Sequence, residues 1–173
     1  LTQFIIVILT ISYPFQAKIF ANDSIVNNLN FDQSNDSIYL SQIINYLSQQ
    51  NLATDSSISI IADATSIVCN SSDSSIIILG SSMVNALKTL GNFKSAFTIN
   101  QCIANYYKKN GNLIKYIHNA NFSAYLKLQD GAYEESAIIL FENLKLAEEK
   151  QLNDVIPETY MFLGFNLRYS NIE

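Results

Sequence analysis

Few residues of this chain have the types and the spacing that catalysis requires. His118 is the only histidine, and a nucleophilic serine needs such a base held by a third group, but no Gly-x-Ser-x-Gly or His-Glu-x-x-His spacing accompanies it. Glu134-Glu135 and Glu148-Glu149 are adjacent pairs, which point apart on a helix and favour a solvated face. The sequence has no Gly-rich phosphate-binding loop and no Cys-x-x-Cys pair. It therefore predicts no catalytic residues, no cofactor and no metal site, with a hydrolase that uses His118 as a remote alternative.

Charge is distributed unevenly along the chain, and the distribution disfavours one class of partner. Six acidic residues and no basic residue lie between Asn22 and Leu87, whereas nine basic and nine acidic residues follow from Lys88 onward. The net charge of −5 therefore comes from the N-terminal half. Since the sequence offers no basic patch for phosphate contacts, nucleic acid is not expected as a partner.

The first 21 residues differ in composition from the rest of the chain. Phe4 to Phe15 form a 12-residue apolar stretch without charge, and Ala21 precedes a polar run that begins at Asn22. A short apolar core that ends at a small residue is typical of a secretory signal peptide, whereas a membrane span needs about 20 apolar residues. Residues 1–21 are therefore predicted to be a signal peptide, with a membrane anchor or a buried element as alternatives. Residues 22–35, rich in Asn, Asp and Ser, are predicted to be a polar linker.

Helical periodicity and a 40-residue repeat dominate the remainder, residues 36–173. Gly91, Gly131 and Asn171 lie on a 40-residue grid, and similar residues flank each of them. Apolar residues recur at spacings of three and four in seven segments, which indicates seven amphipathic helices. A fixed period of this length indicates stacked supersecondary units. Ser56 to Gly80 is rich in Ile, Ser and Thr, so a strand is an alternative there, but its three-four spacing favours helix.

The chain has two cysteines, Cys69 and Cys102. An exported protein can pair them in a disulfide. They occupy different places in the repeat grid, so the period does not bring them face to face. Two buried free thiols are therefore the favoured expectation, since free cysteine behaves as a small core residue, and a disulfide is the alternative.

These segments resemble tetratricopeptide repeats, which are hairpins of an A helix and a B helix. The segment TYMFLGFNLRYSNIE matches best, with the aromatic, Leu, Gly and apolar positions of helix A filled by Tyr160, Leu163, Gly164 and Leu167. GNFKSA and GAYEES resemble the turn and the start of helix B, with Ala96 and Ser136 at the small position. Asn100 departs from an apolar position, and the period is 40 rather than the commonest value of about 34. The longer repeat is similar to repeats of bacterial signalling and regulatory proteins.

The resemblance implies a fold and a binding face. The fold would be all-α, with antiparallel helical hairpins stacked as a right-handed α-solenoid. Partners of the family often lie in the groove lined by the A helices. The positions that correspond to this groove are Asn85, Lys88, His118, Asn121, Tyr125, Phe165 and Arg168. Their amide, aromatic and basic side chains suit an extended peptide, and a basic pair suits a carboxylate.

The resulting expectation is a non-catalytic, exported module that binds a protein or peptide. Because the 40-residue pattern begins again at Ser170-Asn171-Ile172-Glu173, we expect the N-terminal sensory or scaffold part of a longer bacterial signalling protein. In that case a transmembrane helix and a cyclase or kinase domain would follow the repeats. A free-standing periplasmic or secreted adaptor with more repeats is the alternative.

Overall fold

Seven α-helices make up the part of the chain that the computed structural model describes, residues 35–49 and 58–170, and that part contains no strand. They are α1 (Asp36–Gln49), α2 (Ile58–Asn70), α3 (Ser74–Thr89), α4 (Phe93–Lys109), α5 (Leu113–Gln129), α6 (Tyr133–Glu149) and α7 (Ile156–Ser170). The all-α prediction is confirmed. The strand alternative is wrong for residues 58–80, where α2 and α3 lie, because apolar positions three and four apart reach one core only from a helix.

Some of the sequence expectations concern residues that the structure does not describe. The predicted signal peptide (1–21), residues 22–34 of the predicted linker and the grid position Asn171 lie outside the described residues. Within the described ranges, none of the helices combines the length and the apolar character that crossing a bilayer requires.

The connections from α3 onward share one turn geometry, which sets the repeat. Gly91, Gly111 and Gly131 have φ values of 76°, 72° and 81°, and Gln151 takes the same left-handed conformation with φ 55°. The residue after each turn donates its amide to a carbonyl five residues earlier, as in Asn92 to Leu87 at 2.9 Å. This bond closes the last helical turn. Since these turns recur every 20 residues, each 40-residue unit of the sequence is one helix-turn-helix hairpin.

Short polar side chains begin four of the helices. Asn35 Oδ1 accepts from the amides of Ser37 at 2.9 Å and Ile38 at 3.2 Å, which caps α1. Asp73, Asn92 and Asn112 accept comparable bonds at the starts of α3, α4 and α5. Each cap satisfies an amide that the first helical turn leaves without a partner.

The helices pack as consecutive hairpins that share a core. We call α1, α3, α5 and α7 the A helices and α2, α4 and α6 the B helices. Besides its neighbours along the chain, α1 packs on α3, α2 packs on α4, and α5 packs on α7. The main apolar core runs through α1 to α5, and smaller clusters join α5 to α6 and α7. One hairpin cannot bury its apolar face alone, so each addition extends the shared core.

A disulfide joins two of the B helices. Cys69 of α2 and Cys102 of α4 form it, with Cα atoms 4.9 Å apart. The expectation of two buried free thiols is therefore wrong. Cys69 is exposed and Cys102 is half-buried. The repeat grid did not reveal the pairing because the two residues are 33 positions apart, whereas it is the side-by-side packing of α2 and α4 that brings them together.

Small residues allow the closest approaches between helices. A Cβ added at Gly80 of α3 would lie 2.8 Å from Cγ1 of Val68 in α2, so the two helices meet there without room for a side chain. Ala96 and Ser136, which the sequence places at equivalent positions of α4 and α6, are both fully buried. The Ser136 hydroxyl has no hydrogen-bond partner among the described residues.

Candidate binding groove

A strip of aromatic rings crosses from α5 to α7. Phe122 stacks on Tyr125 with ring centroids 5.8 Å apart, Tyr125 lies 5.8 Å from Phe162, and Phe162 lies 6.2 Å from Phe165. Phe165 is exposed and the other three rings are half-buried, so each offers part of its surface. We call these four residues the aromatic strip. Rings in such an array present apolar faces against which a ligand side chain can pack.

A cleft opens beside one end of the strip. It lies between the A helices α3 and α5, with α4 behind it, and it has a volume of about 360 Å³. Its lining residues are Ser81, Val84, Asn85, Asn100, Tyr107, Lys115, His118, Asn119 and Phe122. Because Phe122 belongs both to the cleft and to the aromatic strip, the two features form one continuous surface, which we call the groove.

Two lysines add positive charge to the groove. Lys88 of α3 places Nζ 5.4 Å from the ring centroid of Phe122, and Lys115 of α5 places Nζ 5.1 Å from that of Tyr107. Such cation–π contacts hold an ammonium group over a ring while leaving its other side open. Neither lysine forms an ion pair with an acidic residue in the described ranges. The groove therefore has two cations without a carboxylate partner of its own.

His118 lies at the edge of the groove, in contact with α7. Its Nδ1 is 2.9 Å and 3.0 Å from the two carboxylate oxygens of Glu158. The imidazole is well exposed, with 64% of the side chain accessible. No hydroxyl or thiol of a described residue is hydrogen-bonded to the ring. The hydrolase alternative thus has a base beside a carboxylate, but no nucleophile in contact with it.

Asn121 lies in the interior, so its placement in the groove is wrong. Its Oδ1 accepts from Nδ2 of Asn143 at 2.9 Å, and its Nδ2 donates to Thr159 Oγ1 at 2.9 Å and to Glu158 at 3.3 Å. The side chain is fully buried between α5, α6 and α7. A polar group is tolerated there because its hydrogen bonds are made inside the protein. Asn121 therefore joins three helices and is not available to a ligand.

Other asparagines are also buried and hydrogen-bonded. Asn100, which departed from an apolar position, donates to the carbonyl of Asn119 at 2.6 Å and to Ser123 Oγ at 2.8 Å. Asn166 donates to the carbonyl of Tyr133 at 2.9 Å. The interior therefore contains a set of amides that specify which helices meet.

The structure brings together most of the groove positions expected from the sequence, and it adds others. Asn85 and His118 line the cleft, Lys88 lies over Phe122, and Tyr125 and Phe165 belong to the aromatic strip. Arg168 is exposed on α7 and makes no printed contact with the strip.

Sequence reasoning missed Phe122, Phe162 and Lys115. A signal for the two rings was present. Phe122 and Tyr125 are three residues apart, and Phe162 and Phe165 repeat that spacing 40 residues later. Residues three apart lie on one face of a helix. The repeat grid therefore locates both pairs on equivalent faces of α5 and α7. No such signal distinguishes Lys115 from other lysines.

Comparison with known proteins leaves the groove to be interpreted from its own geometry. No family model matches the chain, and no curated protein and no solved structure matches it. Within residues 35–49 and 58–170, no three His, Cys, Asp or Glu side chains lie close enough together to hold a metal ion.

Proposed function

We propose that this chain is a non-catalytic module that binds a protein or peptide ligand along the groove. The observation that carries the proposal is the continuity of the aromatic strip with a cleft flanked by two lysines, Lys88 and Lys115, that lack an acidic partner. Repeat proteins commonly use the extended surface along their stacked units for binding. The proposed ligand is an extended segment that crosses the A helices.

The chemistry of the groove supports this kind of ligand. Aromatic faces accept apolar or aromatic side chains of a peptide. Asn85, which is exposed at the cleft, offers both a donor and an acceptor to a peptide backbone. Lys88 and Lys115 suit a carboxylate, either of a side chain or of a chain terminus.

The relation to tetratricopeptide repeats is part of the proposal. The packing of A helix on A helix and of B helix on B helix supports stacked hairpins of this kind. Turns repeated every 20 residues, with a 40-residue period in the flanking residues, support the same reading. Helix-turn-helix units with a fixed period are the mark of such arrays.

The proposed location is outside the cytoplasm. A disulfide between Cys69 and Cys102 supports it, because disulfides persist in oxidising compartments and are rare in the cytosol. The proposed context is the sensory or scaffold part of a longer bacterial signalling protein, with a free-standing adaptor as the alternative. Sequencing the gene beyond Glu173 separates them: a span of about 20 apolar residues before a catalytic domain supports the first, and further repeats support the second.

Ligand binding is tested with a groove variant and a matched control. The groove variant combines Asn85→Ala, Lys115→Ala and Phe165→Ala, all at exposed positions of A helices. The control combines substitutions of the same residue types at exposed positions of the B helices: Asn105→Ala, Lys94→Ala and Phe141→Ala. Asn121 is left unchanged because it is buried.

A displayed library of random peptides is selected against the unmodified chain, and the enriched peptides are titrated against both variants. We expect the groove variant to lose most of its affinity for these peptides and the control to keep it. The proposal fails if the two variants bind the enriched peptides equally well, or if no peptide is enriched.

A further inference from the structure

The outward face of α7 carries an exposed stripe of side chains around a glycine. Its members are Tyr160, Met161, Gly164, Leu167 and Arg168, which we call the α7 stripe. Tyr160 is 53%, Met161 48% and Leu167 60% exposed. At 3.6 residues per turn, all five lie within about 60° of Gly164 around the helix. A Cβ added at Gly164 would meet nothing within 4 Å, so the centre of this stripe is open.

The equivalent stripe of α5, forty residues earlier, is covered by another helix. Four of its five members are buried: Ala120, Asn121, Ala124 and Leu128. The covering helix is α6, and the contacts run in opposite chain directions. They pair Asn121 with Asn143, Ala124 with Leu140, and Lys127 with Glu135. In this fold the stripe is therefore a face that accepts an antiparallel helix.

We propose that a second copy of this chain covers the α7 stripe, with the two α7 helices antiparallel and a two-fold axis at Gly164. In this arrangement the second α7 takes the position that α6 takes on α5. The proposal continues the α5–α6 interface of the chain itself. It does not depend on the proposed ligand of the groove.

The sequence of the stripe is complementary to itself in this register. Residues equally far from Gly164 on its two sides face each other, so Met161 of one copy meets Leu167 of the other, and Tyr160 meets Arg168. The first pair is apolar, and the second places a guanidinium over an aromatic ring. A two-fold interface forms each pair twice. Gly164 at the axis lets the two backbones approach, since the distance between packed helices depends on the side chains at the contact.

Charge does not oppose the pairing. The stripe contains no acidic residue, and Arg168 is its only charged member. The two Arg168 side chains lie at opposite ends of the contact, eight residues apart along the antiparallel helices. At 1.5 Å per residue the separation is about 12 Å, which is beyond the Debye length of roughly 8 Å at physiological ionic strength.

The arrangement is tested first by sedimentation equilibrium and by cross-linking of the full chain. We expect a reversible monomer–dimer equilibrium. Gly164→Cys places a thiol on the proposed axis, so mild oxidation should yield a covalent dimer on a non-reducing gel. Ile78→Cys is the control, because Ile78 is exposed on α3 away from the stripe. It should not form this dimer under the same conditions.

The register is tested by exchanging an apolar pair for a charged one. Met161→Glu should weaken dimerisation on the order of tenfold or more, as expected for a central interface position. Adding Leu167→Lys to the same chain should restore it, because each new carboxylate then faces a new ammonium group. Phe141→Glu, at an exposed apolar position of α6, should leave the equilibrium unchanged. Circular dichroism confirms that each variant keeps its helices.

Three results would overturn the proposal. One is a chain that remains monomeric at about 100 μM, a concentration at which even weak specific dimers are populated. Another is a dimer that survives Met161→Glu or gains nothing from Leu167→Lys. The third is a monomeric chain whose stripe binds a helix of a different protein.

Discussion

Cys69 and Cys102 tie α2 to α4 through a disulfide, with Cα atoms 4.9 Å apart. Both residues belong to B helices, and the bond reinforces the contact between the first and second hairpins. The chain between them contains all of α3 and both of its turns. The disulfide therefore closes a loop of 33 residues in the unfolded chain as well as joining two helices in the folded one.

Replacing both cysteines by serine should lower the free energy of unfolding by about 3–4 kcal/mol, the loop-closure contribution for a loop of this length. The measurement is urea denaturation followed by circular dichroism, without reductant. The unmodified chain in excess dithiol reductant provides the control, and its transition should coincide with that of the double variant. Coincidence of the double variant with the oxidised chain would instead show that the disulfide contributes nothing.

Asn121→Ala should destabilise the fold by about 2–3 kcal/mol, because the buried amide of Asn143 loses its acceptor. Asn85→Ala is the matched control. That residue is exposed, so its substitution should change the free energy of unfolding by less than about 0.5 kcal/mol. Both values follow from chemical denaturation. Equal effects of the two substitutions would contradict the interior role of Asn121.

The same substitution at two helical glycines should have opposite effects. Gly80→Ala brings a Cβ to 2.8 Å from Val68, so we expect a loss of about 1–3 kcal/mol from overpacking. Gly164→Ala meets nothing within 4 Å, so the higher helix propensity of alanine should stabilise α7 by about 0.5–1 kcal/mol. Thermal denaturation at low protein concentration measures both in the monomer. Changes of the same sign would contradict the packing at Gly80 or the openness at Gly164.

Gln151→Gly should stabilise the chain by about 0.5–1 kcal/mol. Gln151 has φ 55°, a left-handed conformation that costs a residue with a Cβ more than it costs glycine. Gly131→Ala is the reverse experiment at an equivalent turn with φ 81° and should destabilise by about 1 kcal/mol. Denaturant midpoints compare the two. A stability of the Gln151 variant below that of the unmodified chain would mean that the glutamine side chain stabilises this turn.

Part of the groove was predictable from the sequence because the repeat carries it. Tyr125 and Phe165 were expected at the binding face, and both belong to the aromatic strip. Phe122 and Phe162 repeat with the same 40-residue spacing and were available to the same reasoning. Asn121 shows its limit. Its position on α5 was assigned by analogy, but whether that face meets solvent depends on α6, which covers it.

The sequence by itself determined the helices and their turns, because three-four apolar spacing, polar caps and glycines at left-handed positions act over a few residues. Only the tertiary structure decided which residues from different helices meet. The Cys69–Cys102 bond and the hydrogen bonds of Asn121 join positions 22 to 38 residues apart. Such contacts depend on how helices cross and how closely they approach. These distances are set by packing of the whole core and not by any local pattern.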